Sequence, residues 1–435
     1  MAFRQDITRC FAPEIGERGL PEQVYADVLA RTQPALAALG ADLAGGKPPF
    51  LAVTYGSDDL DRLEDIADRF RRDFSNVVIL GTGGSSLGGK SLYALADAGF
   101  GPAPGTPRLH FMDNVDPRTF EVLFRSLDVR KTGFIVISKS GNTAETVAQF
   151  NACMDALGAV VSWDAVAKHV LVITQPGDSP LRRLAANQAL PVLDHDPGIG
   201  GRFAVFSLVG LLPTMIAGLD ARAVRAGARE CLEGNLQAKD PNSSPAAQGA
   251  ALNIAFLEAL GIRTAVLMPY ADRLSDFALW YRQLWAESLG KDGNGTTPIR
   301  AMGTRDQHSQ LQLYLSGPPD KIFTLITLEV AGIGPGVGNV GGDQDIAYLK
   351  GRVMGDLMDA EQRATAETLA RNGCPVRVLT LPVLDEKTMG ALMMHFMLET
   401  VIAAHLLNVN PYDQPAVEEG KILTRRYLAE GGAKT

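Results

Sequence analysis

The residues best suited to chemistry in this chain fall in a few short clusters. Phe134–Phe150 reads FIVISKSGNTAETVAQF: four apolar residues, then Ser138, Lys139, Ser140, Asn142 and Thr143, then a helix-compatible run. Small hydroxyl and amide side chains at a helix start surround unpaired N–H groups, and such a turn attracts anions. Asn76–Leu80 leads into GTGGSSLGGK, where glycines such as Gly84 let a ligand approach the backbone and Ser85 stands beside them. Gly198–Phe203 (GIGGRF) places Arg202 after glycines that permit a sharp bend, and its fork of donors suits an oxyanion or a phosphate. In Leu279–Lys291 (LWYRQLWAESLGK), Glu287 follows Trp280, Leu284 and Trp285, which form one apolar helical face. Shielding by the tryptophans would favour the neutral acid and make Glu287 a useful general base. His308, alone among the six histidines, lies in a densely polar stretch, Gly303–Gln310. Asn410–Lys421 (NPYDQPAVEEGK) has two prolines that fix a rigid loop, and it ends at Lys421. A soluble protein built this way is expected to hold a phosphorylated small molecule.

Several function classes are disfavoured. Gly81, Gly83 and Gly84 are spaced wrongly for a dinucleotide fingerprint, the acidic partner is missing, and no Walker-type motif occurs, which argues against a nucleotide-dependent oxidoreductase. There is neither an H-E-x-x-H motif nor a Cys/His cluster, so no metal site and no cofactor are expected. A net charge of −8 argues against a nucleic-acid partner. The longest apolar stretch, Met389–Val409, contains His395, Glu399, His405 and Asn408, so it reads as a buried core helix rather than a membrane span. The N-terminus has no apolar signal core, and Cys10, Cys153, Cys231 and Cys374 are scattered, so free thiols and a cytoplasmic location are expected.

These clusters need elements to hold them. The 435 residues exceed what one core usually serves. Residues 1–48 read as a helical arm packing on the rest of the chain. Strands are expected at Val77–Leu80, Arg108–Met112, Phe134–Ser138, Val170–Thr174 and Pro191–Leu193, then at Thr264–Met268, Ile322–Leu328 and Val376–Leu381, with helices between most of them. Such alternation implies parallel sheets covered on both faces. The expected fold is therefore α/β, with two doubly wound parallel-sheet domains: residues 49–220, which carry the phosphate-binding loops, and residues 221–435, which end in a helical tail. Ligands in such sheets bind beyond the carboxyl ends of the strands, where both serine loops lie.

Taken together, ILGTGGSSLG, VISKSGNTAET, GIGGRFAVFSLVGLLP, RQLWAESLGK, GTRDQHSQLQ and NVNPYDQPAVEEGK resemble the glucose-6-phosphate isomerase family, in its order and across about residues 77 to 421. The resemblance implies two sugar-isomerase (SIS-like) domains and aldose–ketose isomerisation of glucose 6-phosphate and fructose 6-phosphate through a cis-enediolate. It implies that Ser138, Lys139, Ser140 and Thr143 hold the phosphate, and that Gly84 and Ser85 line the sugar. Glu287 would move the proton between carbons 2 and 1, and Arg202 would stabilise the enediolate. His308 and Lys421 would assist ring opening, with Gln283 and Gln414 positioning hydroxyls. Members of the family usually form homodimers, so the resemblance also implies that His308 completes the partner's site. The phosphate loop SKSGNTAET is of the compact bacterial kind. Leu289 and Arg305-Asp306 depart from the family's usual residues beside the catalytic positions, which bears on substrate preference. Two alternatives stay open: an isomerase for another phosphosugar such as mannose 6-phosphate, and a non-catalytic phosphosugar-binding module. The second would have no need of Glu287, His308 and Lys421 together.

Overall fold

A computed structural model describes residues 2–431, apart from residues 239, 339, 340 and 342. It contains two five-stranded sheets. The first is wholly parallel, in the order β3-β2-β4-β5-β6, where β2 is Asn76–Leu80, β3 Arg108–Met112, β4 Thr132–Ile137, β5 Val170–Thr174 and β6 Val192–Asp194. The strands other than β3 are short runs of mostly Val, Ile, Leu and Phe, and β4 and β5 are buried throughout, as strands covered by helices on both faces must be. The chain builds β3 on one side of β2 and then β4 on the other. The carboxyl ends of β2 and β4 therefore flank the point where winding reverses, the usual ligand crevice of such sheets.

The second sheet runs β1-β10-β9-β7-β8, with β1 Arg4–Asp6, β7 Thr264–Pro269, β8 Thr297–Arg300, β9 Lys321–Leu328 and β10 Val376–Leu381. Four of its strands are parallel, and β1 pairs antiparallel with β10. Its winding reverses beside β7, and the segment after β7 enters the helix Ser275–Leu289. The α/β class with two doubly wound parallel sheets is thus what the chain adopts.

Two strands depart from the expected pattern. The arm begins with β1, which covers the open edge of β10 and satisfies its unpaired backbone groups. The other is β8, at the opposite edge, where Pro298 is tolerated because its missing N–H faces no neighbouring strand. The remaining arm is helical, with Glu22–Ala30 packed on the helix Pro245–Leu260 and Gln33–Ala44 on Ala221–Leu236. The apolar helix Glu386–Leu406 is, among the described residues, the one long and apolar enough to cross a bilayer. It is buried in the body, packed against Ala221–Leu236 and Pro245–Leu260, so it serves as core. One continuous apolar cluster links both sheets through this helix and Ser275–Leu289.

Candidate active site

The loop after β4 closes on itself. Gly141 takes φ +66°, a conformation that favours glycine, and donates its N–H to Ser138 Oγ at 3.2 Å. Ser138 Oγ lies 3.0 Å from Thr143 Oγ1, and Ser140 Oγ accepts the Asn142 N–H at 3.2 Å. The helix Ala144–Gly158 begins directly afterwards, so hydroxyls and free N–H groups meet at a helix start as expected. The Lys139 carbonyl accepts from Thr174 Oγ1 and from the Gln175 N–H, which ties the loop to the end of β5. The Lys139 side chain makes no hydrogen bond among the described residues. Burial and the nearby Arg202 charge lower its pKa, against the opposing pull of Asp196.

The loop after β2 lies against the turn that carries Arg202. A Cβ on Gly84 would stand 2.1 Å from the Gly201 carbonyl carbon, so only glycine permits this approach. A small cavity is enclosed between Gly84, Ser85, Lys139, His195 and Gly201, with the ends of β4 and β5 behind it.

Arg202 is 3% exposed, and its donor fork is fully used. Nε donates to Ser288 Oγ at 2.9 Å, and Nη2 donates to the carbonyls of Pro411 and Asp413. Nη1 donates to Gln414 Oε1 at 3.0 Å and lies 3.2 Å from Glu287 Oε1. Burial lowers the pKa of Arg202, while Glu287 and Asp413 oppose the shift. The guanidinium stays charged. Glu287 stands in the last turn of Ser275–Leu289, where Gln283, one turn earlier, donates to Glu287 Oε2 at 2.9 Å. The expectation of an apolar shield around Glu287 is corrected here. Trp280 and Trp285 point into the core, while the Glu287 side chain is 26% exposed and rests against a cation. Glu287, seven residues after Trp280 and three after Leu284, shares their stripe but stands in the last turn of the helix, where its carboxylate meets Arg202.

Arg202, Glu287, Gln283 and Gln414 are therefore brought together, and the Gly84–Ser85 loop joins them through the Gly201 contact. The loop residues Ser138, Lys139, Ser140 and Thr143 adjoin this group across the small cavity, which Lys139 lines. His308 and Lys421 make no hydrogen bond or ion pair with this group among the described residues. His308 is exposed on the short helix Gly303–Ser309 and forms no hydrogen bond among the described residues. Lys421 is exposed on the outlying helix Glu418–Gly431 and pairs with Glu418 at 2.6 Å. Sequence spacing places both residues in polar segments but cannot say whose site they enter.

Two participants carry little signal in the sequence. Lys291 Nζ donates to the Ser288 carbonyl at 2.9 Å and approaches Asp413 at 3.3 Å, holding Asn410–Gln414 over the helix end. It closes the LWYRQLWAESLGK run, and that position is the one hint of its role. His195 is 2% exposed, its Nδ1 has no partner, and no local motif marks it. Gln283 Oε1 is likewise buried without a partner. Unpaired buried acceptors at a cavity wall are costly unless a ligand supplies donors.

Residues 67–317 match the phosphoglucose isomerase family. A glucose-6-phosphate isomerase of Rubrobacter xylanophilus is 39% identical over 411 residues, covering 93% of this chain and 94% of that one. A glucose-6-phosphate isomerase of Thermus thermophilus is 39% identical over 361 residues, covering 81% and 84%. The crystal structure of a hypothetical protein from Thermus thermophilus superposes with a TM-score of 0.86 at 33% identity, over 98% of this chain and 100% of that one. With these matches spanning the helix that bears Glu287 and the turn that bears Arg202, the chain belongs to the phosphoglucose isomerase family.

Proposed function

We propose that this chain interconverts glucose 6-phosphate and fructose 6-phosphate, with a phosphorylated hexose as its small-molecule partner. The observation that carries the reading is the 3.2 Å approach of Glu287 to Arg202 beside two serine-bearing helix starts. In the open-chain aldose, Glu287 takes the proton from carbon 2. The electron pair enters the carbon 1–carbon 2 bond, and the carbonyl oxygen becomes an oxyanion. Glu287 returns its proton to carbon 1 while the proton of the carbon 2 hydroxyl passes to the oxygen on carbon 1, which gives the ketose, so no co-reactant is consumed. Arg202 Nη1 is the donor for the oxyanion: as that oxygen arrives it displaces Glu287 from Nη1 and leaves the carboxylate free to act. Ser138, Lys139, Ser140 and Thr143 grip the phosphate, and that remote binding orients the reacting carbons. Gly84 and Ser85 line the sugar, and Gln283 and Gln414 orient its hydroxyls. The chain divides near residue 220 into units that each own one sheet, with the arm 1–48 siding with the second. Free, buried cysteines suit a cytoplasmic place in glycolysis and gluconeogenesis.

Glu287→Gln keeps the shape and removes the base. A coupled assay from fructose 6-phosphate should register a fall in kcat of at least about a hundredfold, with phosphate affinity kept. Near-normal turnover would reassign the base.

His308 and Lys421, exposed and without a bond to Glu287 among the described residues, fit a homodimer in which a second copy supplies His308 for ring opening. Mixing inactive Glu287→Gln with inactive His308→Ala subunits then regenerates one intact site per heterodimer, about a quarter of wild-type activity after exchange. A fully active monomer in light scattering would end this reading.

A further inference from the structure

His195 caps β6 at the carboxyl edge of the first sheet, where its backbone N–H donates to the Thr174 carbonyl at 3.0 Å. Its ring lines the same small cavity as Lys139, Gly84, Ser85 and Gly201. Nε2 lies 3.1 Å from the Ile199 carbonyl, and a carbonyl can only accept, so Nε2 carries the proton. The neutral ring then turns a lone pair on Nδ1 toward surroundings in which it finds no donor. Burial and the neighbouring Lys139 charge keep the ring neutral, opposed by the Ile199 bond and by Asp196. Lys139 is the complementary case: a cation on the same cavity, with three donors and no partner among the described residues. Asp196, the nearby carboxylate, already accepts the Gly198 N–H at 2.7 Å.

We propose that His195 is a positioning residue for the phosphate grip: when phosphate enters the cavity, Nδ1, unpartnered in this structure, accepts from the Lys139 ammonium and holds it there, while Nε2–H secures the Ile199 turn that leads to Arg202. One imidazole thereby couples the two cationic groups of the site, the one that meets the phosphate and the one that meets the oxyanion. The inference rests on the phosphosugar reading above and deepens it by naming the group that aims Lys139.

The two ring nitrogens can be separated by substitution. His195→Asn restores an acceptor near Nδ1 and loses the Ile199 bond, whereas His195→Gln restores a donor near Nε2 and loses the Nδ1 acceptor. Binding of inorganic phosphate measured by calorimetry, together with KM and kcat for fructose 6-phosphate, reads the difference. His195→Gln should weaken phosphate binding and raise KM by about tenfold with kcat within about threefold, and His195→Asn should recover phosphate affinity to within about threefold of wild type. In a Lys139→Met background, His195→Gln should cost nothing further. Wild-type phosphate affinity in His195→Gln, or an undiminished loss in the Lys139→Met background, would overturn the proposal. Should His195→Gln fail to fold, failure of His195→Asn to bind phosphate would overturn it equally. A wild-type chain that binds phosphate but does not interconvert the two sugar phosphates would instead sink the isomerase reading, leaving the His195 result to stand or fall by calorimetry.

Discussion

Arg202 shows what a single side chain can organise. Its five N–H groups reach the helix end at Ser288, the carboxylate of Glu287, and the loop of Pro411, Asp413 and Gln414, so one guanidinium joins three segments far apart in sequence. Phe203 beside it packs in a three-ring cluster with Phe50 and Tyr412, at centroid distances of 4.5 and 5.6 Å, which fixes the loop from its apolar side. A lysine carries the same charge but cannot reproduce a planar fork. Arg202→Lys should therefore lower kcat/KM by at least about a hundredfold, beyond the loss of one oxyanion donor, because Gln414 is also released. A variant that kept wild-type kcat/KM would show that charge alone suffices. Glu287, Arg202 and the serine loops were legible in the sequence because each is a local cluster with its own chemistry. His195 was not, since its meaning arises only when the ends of β4 and β6 are brought together by the sheet. The tryptophans misled because Glu287, though on the stripe of Trp280 and Leu284, sits at the helix end, where its carboxylate meets Arg202 and not the core.

At the scale of elements, the strand-to-helix turns do the positioning, and their glycines record how closely backbones pass. Gly84 is the clearest case: its Cα hydrogen faces the Gly201 carbonyl, and a methyl group there would collide with main chain that cannot rotate away. Gly84→Ala should push the two loops apart by about an ångström and lower kcat/KM by at least about tenfold, since misplacement on that scale is costly in catalysis. The fold should survive, because the β2–β4 pairing is untouched. A melting curve beside the assay distinguishes the two effects, and an unchanged kcat/KM would mean that the loops need not touch. Eight of the ten strands could be anticipated because β-branched runs bounded by turn residues are unambiguous when buried. The two that could not are both edges. Four residues containing Pro298 and three ahead of a helical arm are too short for any period to emerge, and their strand character comes from the neighbour they cover.

For the whole molecule, the deepest polar feature is not in the active site. Arg377 on β10 and Glu399 on the core helix Glu386–Leu406 are both fully buried and meet at 2.7 Å. Gln5 Oε1 accepts from Arg377 Nε and Nη2 at 3.0 and 2.7 Å, and Gln5 Nε2 donates to Gln248 Oε1 at 2.8 Å. The N-terminal strand, the second sheet and two core helices are thus joined by one network. His395 Nε2 lies 2.7 Å from Arg377 Nη2 and 3.2 Å from Glu399 Oε2, so the ring belongs to the same network. Burial lowers the His395 pKa from 6.5. Burial alone would raise that of Glu399, but the Arg377 charge outweighs it and holds the carboxyl below its ordinary 4.5. Both groups therefore bind protons less readily folded than unfolded. Their contribution is complete above about pH 6.5, declines as His395 would protonate in the unfolded chain, and falls further below about pH 4.3 as Glu399 follows. Glu399→Gln leaves the buried Arg377 charge uncompensated and should cost about 3–5 kcal/mol at pH 7. Its stability should also fall less steeply than wild type below about pH 4.3, because the carboxyl proton no longer distinguishes folded from unfolded. Denaturant melts at about pH 7 and about pH 4 check both parts. Equal stability of variant and wild type at neutral pH would mean that the network is dispensable, and that apolar packing alone holds the N-terminal strand to the sheet.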